Sequence, residues 1–398
     1  LYDLGKHEKS ISQYYDIDID QANANLNQQE SVERYQQQLT DAVNLRMRSD
    51  VEVGTCLSGG LDSSTITAIA ADITGKVNNR SINAIHAKAT EKALDESYYA
   101  KLVSSHTKAS LNIVEPTFED FKNIVDKVIE VQEEPFGSPS IVLQYIVLQK
   151  AREINCIVML DGQGGDETLI GYSRYYPAYL LEQKGLLPKI KGFFNSTINS
   201  GLSKKELLKY YLYFTNYPLR IRYLKRRSSY LKKEILASFK SDILKDITST
   251  YTDLIALQKL EIKKTQLPHL LKYEDKNSTA NSVETRLPFL DYRCVELAVS
   301  LPNQYKIKEG WTKNILRLSV DNILPREIVW RKNKLGFAAP ERTWLTLHLP
   351  EMESAIGKSS ILNHLLDKEK FNLKKLDLKT KWKLFNIAKW EELFEVKW

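Results

Sequence analysis

A doubly wound α/β domain followed by a mainly helical region is the architecture this sequence predicts, and three observations carry it. From Val51 onward, short apolar runs alternate with helical stretches, the pattern of a parallel sheet with crossover helices. A glycine- and serine-rich turn follows the first of those runs and leads into an apolar helix marked by Ile66, Ile69 and Ala70. After about Gly171 strand signals fade, and Tyr, Leu, Lys and Arg at helical spacing take over, as at Leu207, Leu208, Tyr211 and Phe214.

In chain order, residues 1–28 are polar and irregular, with Tyr14, Tyr15 and Ile17 as their few anchors, and read as a linker docked on the domain after it. Val32, Tyr35, Leu39, Ala42 and Val43 recur at helical spacing and predict a helix over 31–48 with Ser31 as its cap. Strands are expected at 51–57, 82–87, 111–114 and 156–160. Between them Tyr99, Leu102 and Val103 mark an amphipathic segment that begins at Asp95, and Pro139 suits the first position of a helix ending near Ile154. The α/β core is therefore expected over 29–175 and the helical region over 176–398.

The 398 residues, 42% of them hydrophobic, suffice to bury a full core and allow two to three domains. With 57 basic and 50 acidic residues the formal charge is +7, a mild excess that admits phosphate-bearing small molecules without pointing to bulk nucleic-acid binding. Lys225, Arg226, Arg227, Lys232 and Lys233 read as a solvated helix face. Cys56, Cys156 and Cys294 lie far apart with no CxxC or Cys/His cluster, so neither a zinc site nor a disulfide framework is signalled and a reducing compartment is expected. No apolar run approaches a membrane span and no signal-peptide pattern opens the chain, so a cytoplasmic location is expected.

The most informative segment is Leu57-Ser58-Gly59-Gly60-Leu61-Asp62-Ser63-Ser64, between a strand and a helix. Such a turn is an anion site, because the first helical NH groups have no intrahelical partner and the helix dipole favours negative charge there. Gly59 and Gly60 let the backbone approach a phosphate, and the three serines add hydroxyl donors. Asp62 would repel polyphosphate unless a cation lay between them, a conflict that a magnesium ion resolves. The Gly-Lys-Ser/Thr ending of a Walker A loop is absent. Standing alone, the segment could equally be a serine-capped glycine turn.

SGGLDSS after a hydrophobic strand resembles the pyrophosphate loop of the N-type ATP pyrophosphatases, of the adenine nucleotide alpha hydrolase-like fold. That group includes asparagine, GMP, NAD and argininosuccinate synthetases. Four further segments, in the same order, resemble the asparagine synthetase domain: DESYYA (95–100), DGQGGDE (161–167), NSTANSVETRLPFLD (277–291), and Thr312-Lys313 followed by Ile315-Leu316-Arg317. The resemblance implies ATP-dependent amidation of aspartate to asparagine through an aspartyl-AMP intermediate, with release of AMP and pyrophosphate. Asp166 would then supply, with Asp62, the carboxylates for magnesium. Leu57, Ile85 and Gly162 would contribute backbone groups to adenine, with Asp161 and Gln163 also at the nucleotide. Lys313 matches the family's catalytic lysine, which stabilises charge developing at the acyl centre, and Glu167 joins it in the catalytic set. Glu284, Arg286 and Asp291 suit an amino acid's ammonium and carboxylate, or equally a buried ion-pair network that fixes the turn at Pro288.

Two departures matter. Gln163 stands where enzymes devoted to asparagine synthesis commonly carry glutamate, and an amide can act neither as a base nor as a negative charge. The N-terminal glutaminase domain of the glutamine-dependent members has no counterpart here, so 1–28 are expected to be the linker from a missing domain and this chain to use ammonia. The partners expected are ATP, aspartate and ammonia, that glutaminase domain, and a second copy in a homodimer, with no membrane and no nucleic acid. A relative that adenylates another carboxylate, a tRNA-modifying protein of the same fold and a nucleotide-sensing module without turnover are the competing readings.

Overall fold

The computed structural model describes residues 2–78, 80–239, 241–332 and 339–396. Five strands form one parallel sheet: β1 (Val53–Cys56), β2 (Asn83–Ala87), β3 (Ser110–Val114), β4 (Val158–Leu160) and β5 (Glu284–Arg286), in the order β3-β2-β1-β4-β5. The order reverses between β1 and β4. The loops leaving the carboxyl ends of these two strands therefore face a shared crevice, the place where doubly wound sheets bind ligands.

Helices cover both faces of the sheet. On one side lie α1 (Gln28–Arg46), α2 (Leu61–Asn78) and α3 (Ser97–Thr107), and Tyr35, Leu39, Ile66, Ala70 and Val103 join one buried cluster there. The other side carries α4 (Phe118–Gln132), α5 (Ser140–Glu153) and α6 (Leu267–Ala280). Phe121, Val125 and Ile129 of α4 pack with Trp344 and Trp382, the latter on α8 (Leu378–Leu393), so the end of the chain closes over the α/β core. Before α8 comes α7 (Asn314–Ser319), whose buried Ile315 and Leu316 belong to the first cluster. The second half is thus helical as expected, and it packs over the α/β core.

Several boundaries moved for identifiable reasons. The first long helix starts three residues early because Asn27, not Ser31, is its cap: Asn27 and Glu30 bond each other's backbone in a capping box, and Ser31 is buried inside the helix. Of the three expected anchors near the start, Ile17 is buried against Val295 and Val299, whereas Tyr14 is fully exposed and Tyr15 is exposed with its hydroxyl donating to Glu296. Two short strands, Tyr2–Asp3 and Glu8–Lys9, pair as an exposed hairpin. The fifth sheet strand was not among those expected, since Glu284-Thr285-Arg286 is polar throughout and carries no apolar run such as Val158–Leu160 shows.

Lys225, Arg226 and Arg227 end an exposed helix, and Arg227 pairs with Asp377. The three cysteines are free thiols. Among the described residues no helix is long and apolar enough to cross a membrane.

Candidate active site

The turn after β1 folds on its own hydroxyls. Ser63 Oγ accepts from the Ser58 amide at 3.1 Å and Ser58 Oγ accepts from the Gly60 amide at 3.3 Å. Two amides of the loop are thus met by small polar groups at the N-terminus of α2, where an anion's oxygens would be received in the same way. Leu57 is less open to a ligand than expected. Its amide donates to Ile85 O at 2.8 Å and its carbonyl accepts from His86 Nδ1 at 2.9 Å. His86 is kept neutral by burial, which pushes its pKa down.

The turn after β4 closes against this loop. A Cβ on Gly162 would stand 2.8 Å from the Ser63 amide nitrogen, so only a glycine lets the two turns meet. Asp161 Oδ1 accepts from the Gln163 amide at 3.1 Å, and burial, above all, pushes the Asp161 carboxyl above its usual range. Asp166 opens the short helix Gly165–Thr168 and faces Asp62 across the crevice.

Lys313 joins them. Its Nζ is 2.5 Å from Asp62 Oδ2 and 2.6 Å from Asp166 Oδ1, and its side chain is 4% exposed. The backbone at Lys313 is left-handed, with φ of 53° at the cap of α7, a conformation that costs a lysine of order 1 kcal/mol or more and is held by its surroundings. Arg317 supplies that hold: its Nε donates to Thr312 O at 2.9 Å, its Nη1 to Val329 O, and its guanidinium stacks on Trp311. The Thr-Lys-x-x-Leu-Arg spacing is therefore a lysine turned out at a helix start and an arginine one turn later that pins the turn.

These groups line a cleft of about 750 Å³. Ser58, Gly60, Leu61, Asp62, Ser63, Asp161, Gly162, Gln163, Asp166 and Lys313 are all on its wall, so most of the expected residues converge although they come from three distant segments. Glu167 does not line it. It is fully buried behind Asp166, where Tyr172 Oη donates to its Oε1 at 2.5 Å and burial raises its pKa. Glu284, Arg286 and Asp291 also lie off this wall. Arg286 bonds Glu284 and the carbonyls of Arg46 and Arg48, while Asp291 is bridged by Arg46 and Arg293. They thus form an ion-pair network, the arrangement that one of the two readings of that segment expects.

Three contributors had no signal in a single sequence. Gly171 packs so close to the site that an added Cβ would lie 2.0 Å from Asp166 Oδ1 and 2.1 Å from Lys313 Cε. Arg331 bonds Glu96, donates to Gly59 O at 3.3 Å and lies 3.6 Å from the centre of the Tyr99 ring, bracing the phosphate loop from the cleft wall. Lys332 joins it on the cleft wall.

For a cation, the available donors are the Asp62 and Asp166 carboxylates; the described residues contain no group of three His, Cys, Asp or Glu side chains placed to chelate a metal. The two carboxylates already converge on a positive charge, the Lys313 ammonium, which is the donor chemistry a hard divalent ion needs. They fit such an ion if phosphate oxygens or waters complete its shell and Lys313 turns away.

The chain is similar to known proteins over most of its length. The family model described as asparagine synthase matches residues 34–392. The chain is 29% identical over 351 residues to asparagine synthetase (glutamine-hydrolyzing) 1 of Bacillus subtilis (strain 168), covering 83% of this chain and 53% of that protein. It is 25% identical over 351 residues to asparagine synthetase (glutamine-hydrolyzing) 3 of the same organism, covering 83% and 52%. A third relative, amidase chyE of Penicillium rubens, is 23% identical over 371 residues, covering 80% and 53%. The chain spans about half the length of these curated relatives.

Proposed function

The chain belongs to the asparagine synthase family, and from that premise we propose that it activates the side-chain carboxylate of aspartate with ATP and passes the acyl group to ammonia. One observation carries the reading: the ammonium of Lys313 held between Asp62 and Asp166 at the mouth of the SGGLDSS turn. The carboxylate displaces pyrophosphate from the α-phosphorus to give an acyl adenylate. Ammonia then displaces AMP, losing a proton as the amide forms.

In this reading the serine hydroxyls and the amides at the start of α2 bind and orient the β- and γ-phosphates. Asp62 and Asp166 would hold magnesium, which when bound neutralises charge on the departing pyrophosphate. Lys313, released from one carboxylate, places its ammonium where negative charge gathers on the acyl and phosphoryl oxygens, in a buried site where such a charge acts strongly. Gln163 can orient a nucleophile through its amide but cannot take its proton. The ammonia is free or comes from a glutaminase domain.

A second reading keeps the chemistry and changes the acid. Gln163 in place of the usual glutamate, and an amidase among the relatives, favour testing other carboxylates.

The test is mass detection of AMP, pyrophosphate and amide product from ATP, magnesium, ammonium and a mixture of amino acids. Asparagine is the expected product; another amide would replace aspartate by that acid. Asp62→Ala and Asp166→Ala should abolish pyrophosphate release, and Lys313→Ala should slow it on the order of 100-fold, the scale of one lost transition-state donor. Near wild-type pyrophosphate release from both aspartate variants would remove the assignment of these carboxylates.

A further inference from the structure

Beneath the ends of β1 and β2 a smaller cavity of about 140 Å³ opens from the cleft and shares Ser58, Ser63, Gln144, Asp161 and Gln163 with it. Its apolar lining comes from Leu57 and Ile85 at the sheet and from Leu143, Val147 and Leu148 on α5. A flat heteroaromatic ring fits such a slot, and its junction with the cleft lets one ligand occupy both.

One of the acids on the wall is almost wholly buried. Glu274, on α6, is 1% exposed, and neither of its carboxylate oxygens meets a donor in good hydrogen-bond geometry, the Thr285 hydroxyl being nearby but outside it. It is in no ion pair among the described residues, and the charged lysine on the same wall, Lys88, is engaged with Glu115. A carboxyl taken out of water without a partner costs several kcal/mol, so a chain that buries one either holds it neutral or supplies its partner from outside. Burial, and next the neighbouring Asp161, push the Glu274 carboxyl well above the usual range, with the Thr285 hydroxyl pulling the other way. A neutral carboxyl presents a C=O acceptor and an O–H donor side by side. The edge of a 6-aminopurine presents the opposite pair, an amino N–H and a ring nitrogen.

We propose that Glu274, with Asp161 beside it, reads the nucleobase: its buried carboxyl hydrogen-bonds the 6-amino edge of ATP within the small cavity. This rests on the ATP reading above, and it makes Glu274 a specificity residue with no part in bond making. A site built to pair an N–H rejects an analogue that lacks it, because the carboxyl is then left unsatisfied.

The experiment compares binding of ATP with that of purine riboside triphosphate, which lacks only the 6-amino group, to the wild-type chain, Glu274→Gln and Glu274→Leu, with AMP release measured in parallel. The wild type should prefer ATP by at least about 10-fold. Glu274→Gln, which keeps a donor and an acceptor, should retain that preference. Glu274→Leu should lose it through weaker ATP binding, with the analogue bound within about threefold of its wild-type affinity. Equal loss of both nucleotides in Glu274→Leu, or an unchanged preference, would overturn the proposal even though the wild type still forms AMP. A wild type that prefers ATP but releases no AMP would overturn the adenylation reading and leave base recognition standing. A wild type that binds neither nucleotide overturns both.

Discussion

Gly171 has no charge and no hydrogen-bonding side chain, yet a methyl group there would stand within 2.1 Å of both Asp166 Oδ1 and Lys313 Cε. Its amide also donates to Asp166 O at 2.7 Å, so the same residue closes the turn that carries Asp166. Gly171→Ala should therefore displace the carboxylate and ammonium by about an ångström and lower AMP formation on the order of 100-fold, the usual effect of such a misplacement. Thermal melting checks that the cause is local, since the midpoint should shift by only a few degrees. A collapse of the midpoint would mean that the residue serves the fold instead. Legibility at this scale was uneven. Asp62, Asp166 and Lys313 were recoverable because each lies in a recognisable string of neighbours. Gly171 and Glu274 were not, because what distinguishes them is who stands opposite.

At the scale of the element, β5 and the turn after it are fixed by charge. Arg46 and Arg293 bridge Asp291, Arg293 reaches Asp41, and Arg286 pairs with Glu284 on its own strand and ties β5 to the carbonyls of Arg46 and Arg48 at and just past the end of α1. Burial alone would raise the Asp291 carboxyl, but hydrogen bonds from Arg293 and Arg46 more than offset it and hold it at about 2. The unfolded chain binds this proton first as the pH falls, so the contribution is full above the ordinary value of 3.8 and is lost on the way down to about 2. Asp291→Asn should cost about 2 kcal/mol of stability at neutral pH, read from denaturant midpoints, and should show a smaller loss of stability on acidification than the wild type. The folded variant should keep its turnover. Loss of turnover without loss of stability would return the residue to substrate binding. The sequence presented this segment as two equal readings, because an arginine beside acids looks the same whether it meets a ligand or the end of another helix.

Over the whole molecule, the helical half delivers Lys313 to the sheet and is itself fastened to the sheet's turns. Lys306, fully buried, donates to Gln258 Oε1 at 2.9 Å and to Val299 O at 3.2 Å, and Gln258 in turn donates to Thr168 O at the end of the short helix that carries Asp166. Burial pushes the Lys306 ammonium down to about 7, with Glu182 opposing. Between about 7 and the ordinary 10.5 the unfolded chain binds a proton that the folded chain does not, so this group makes stability rise with pH across that window. Lys306→Met should remove that rise. Denaturant midpoints at pH 7 and pH 9.5 should differ less in the variant than in the wild type, and identical slopes would show that Lys306 does not titrate there.

What the sequence determined by itself was whatever acts over a few neighbouring residues. It specified the alternation of strands and helices, the serine and glycine turn at a helix start, and the order of motifs that marks the family, because periodicity, capping and turn chemistry are local. The tertiary structure alone decided that Lys313 meets Asp62 across 251 positions of chain, that Glu167 turns away from the cleft, and that Glu274 comes to lie unpaired in a cavity wall. Those outcomes depend on how buried surfaces pack against one another, and packing sums many small contacts between residues far apart in the chain.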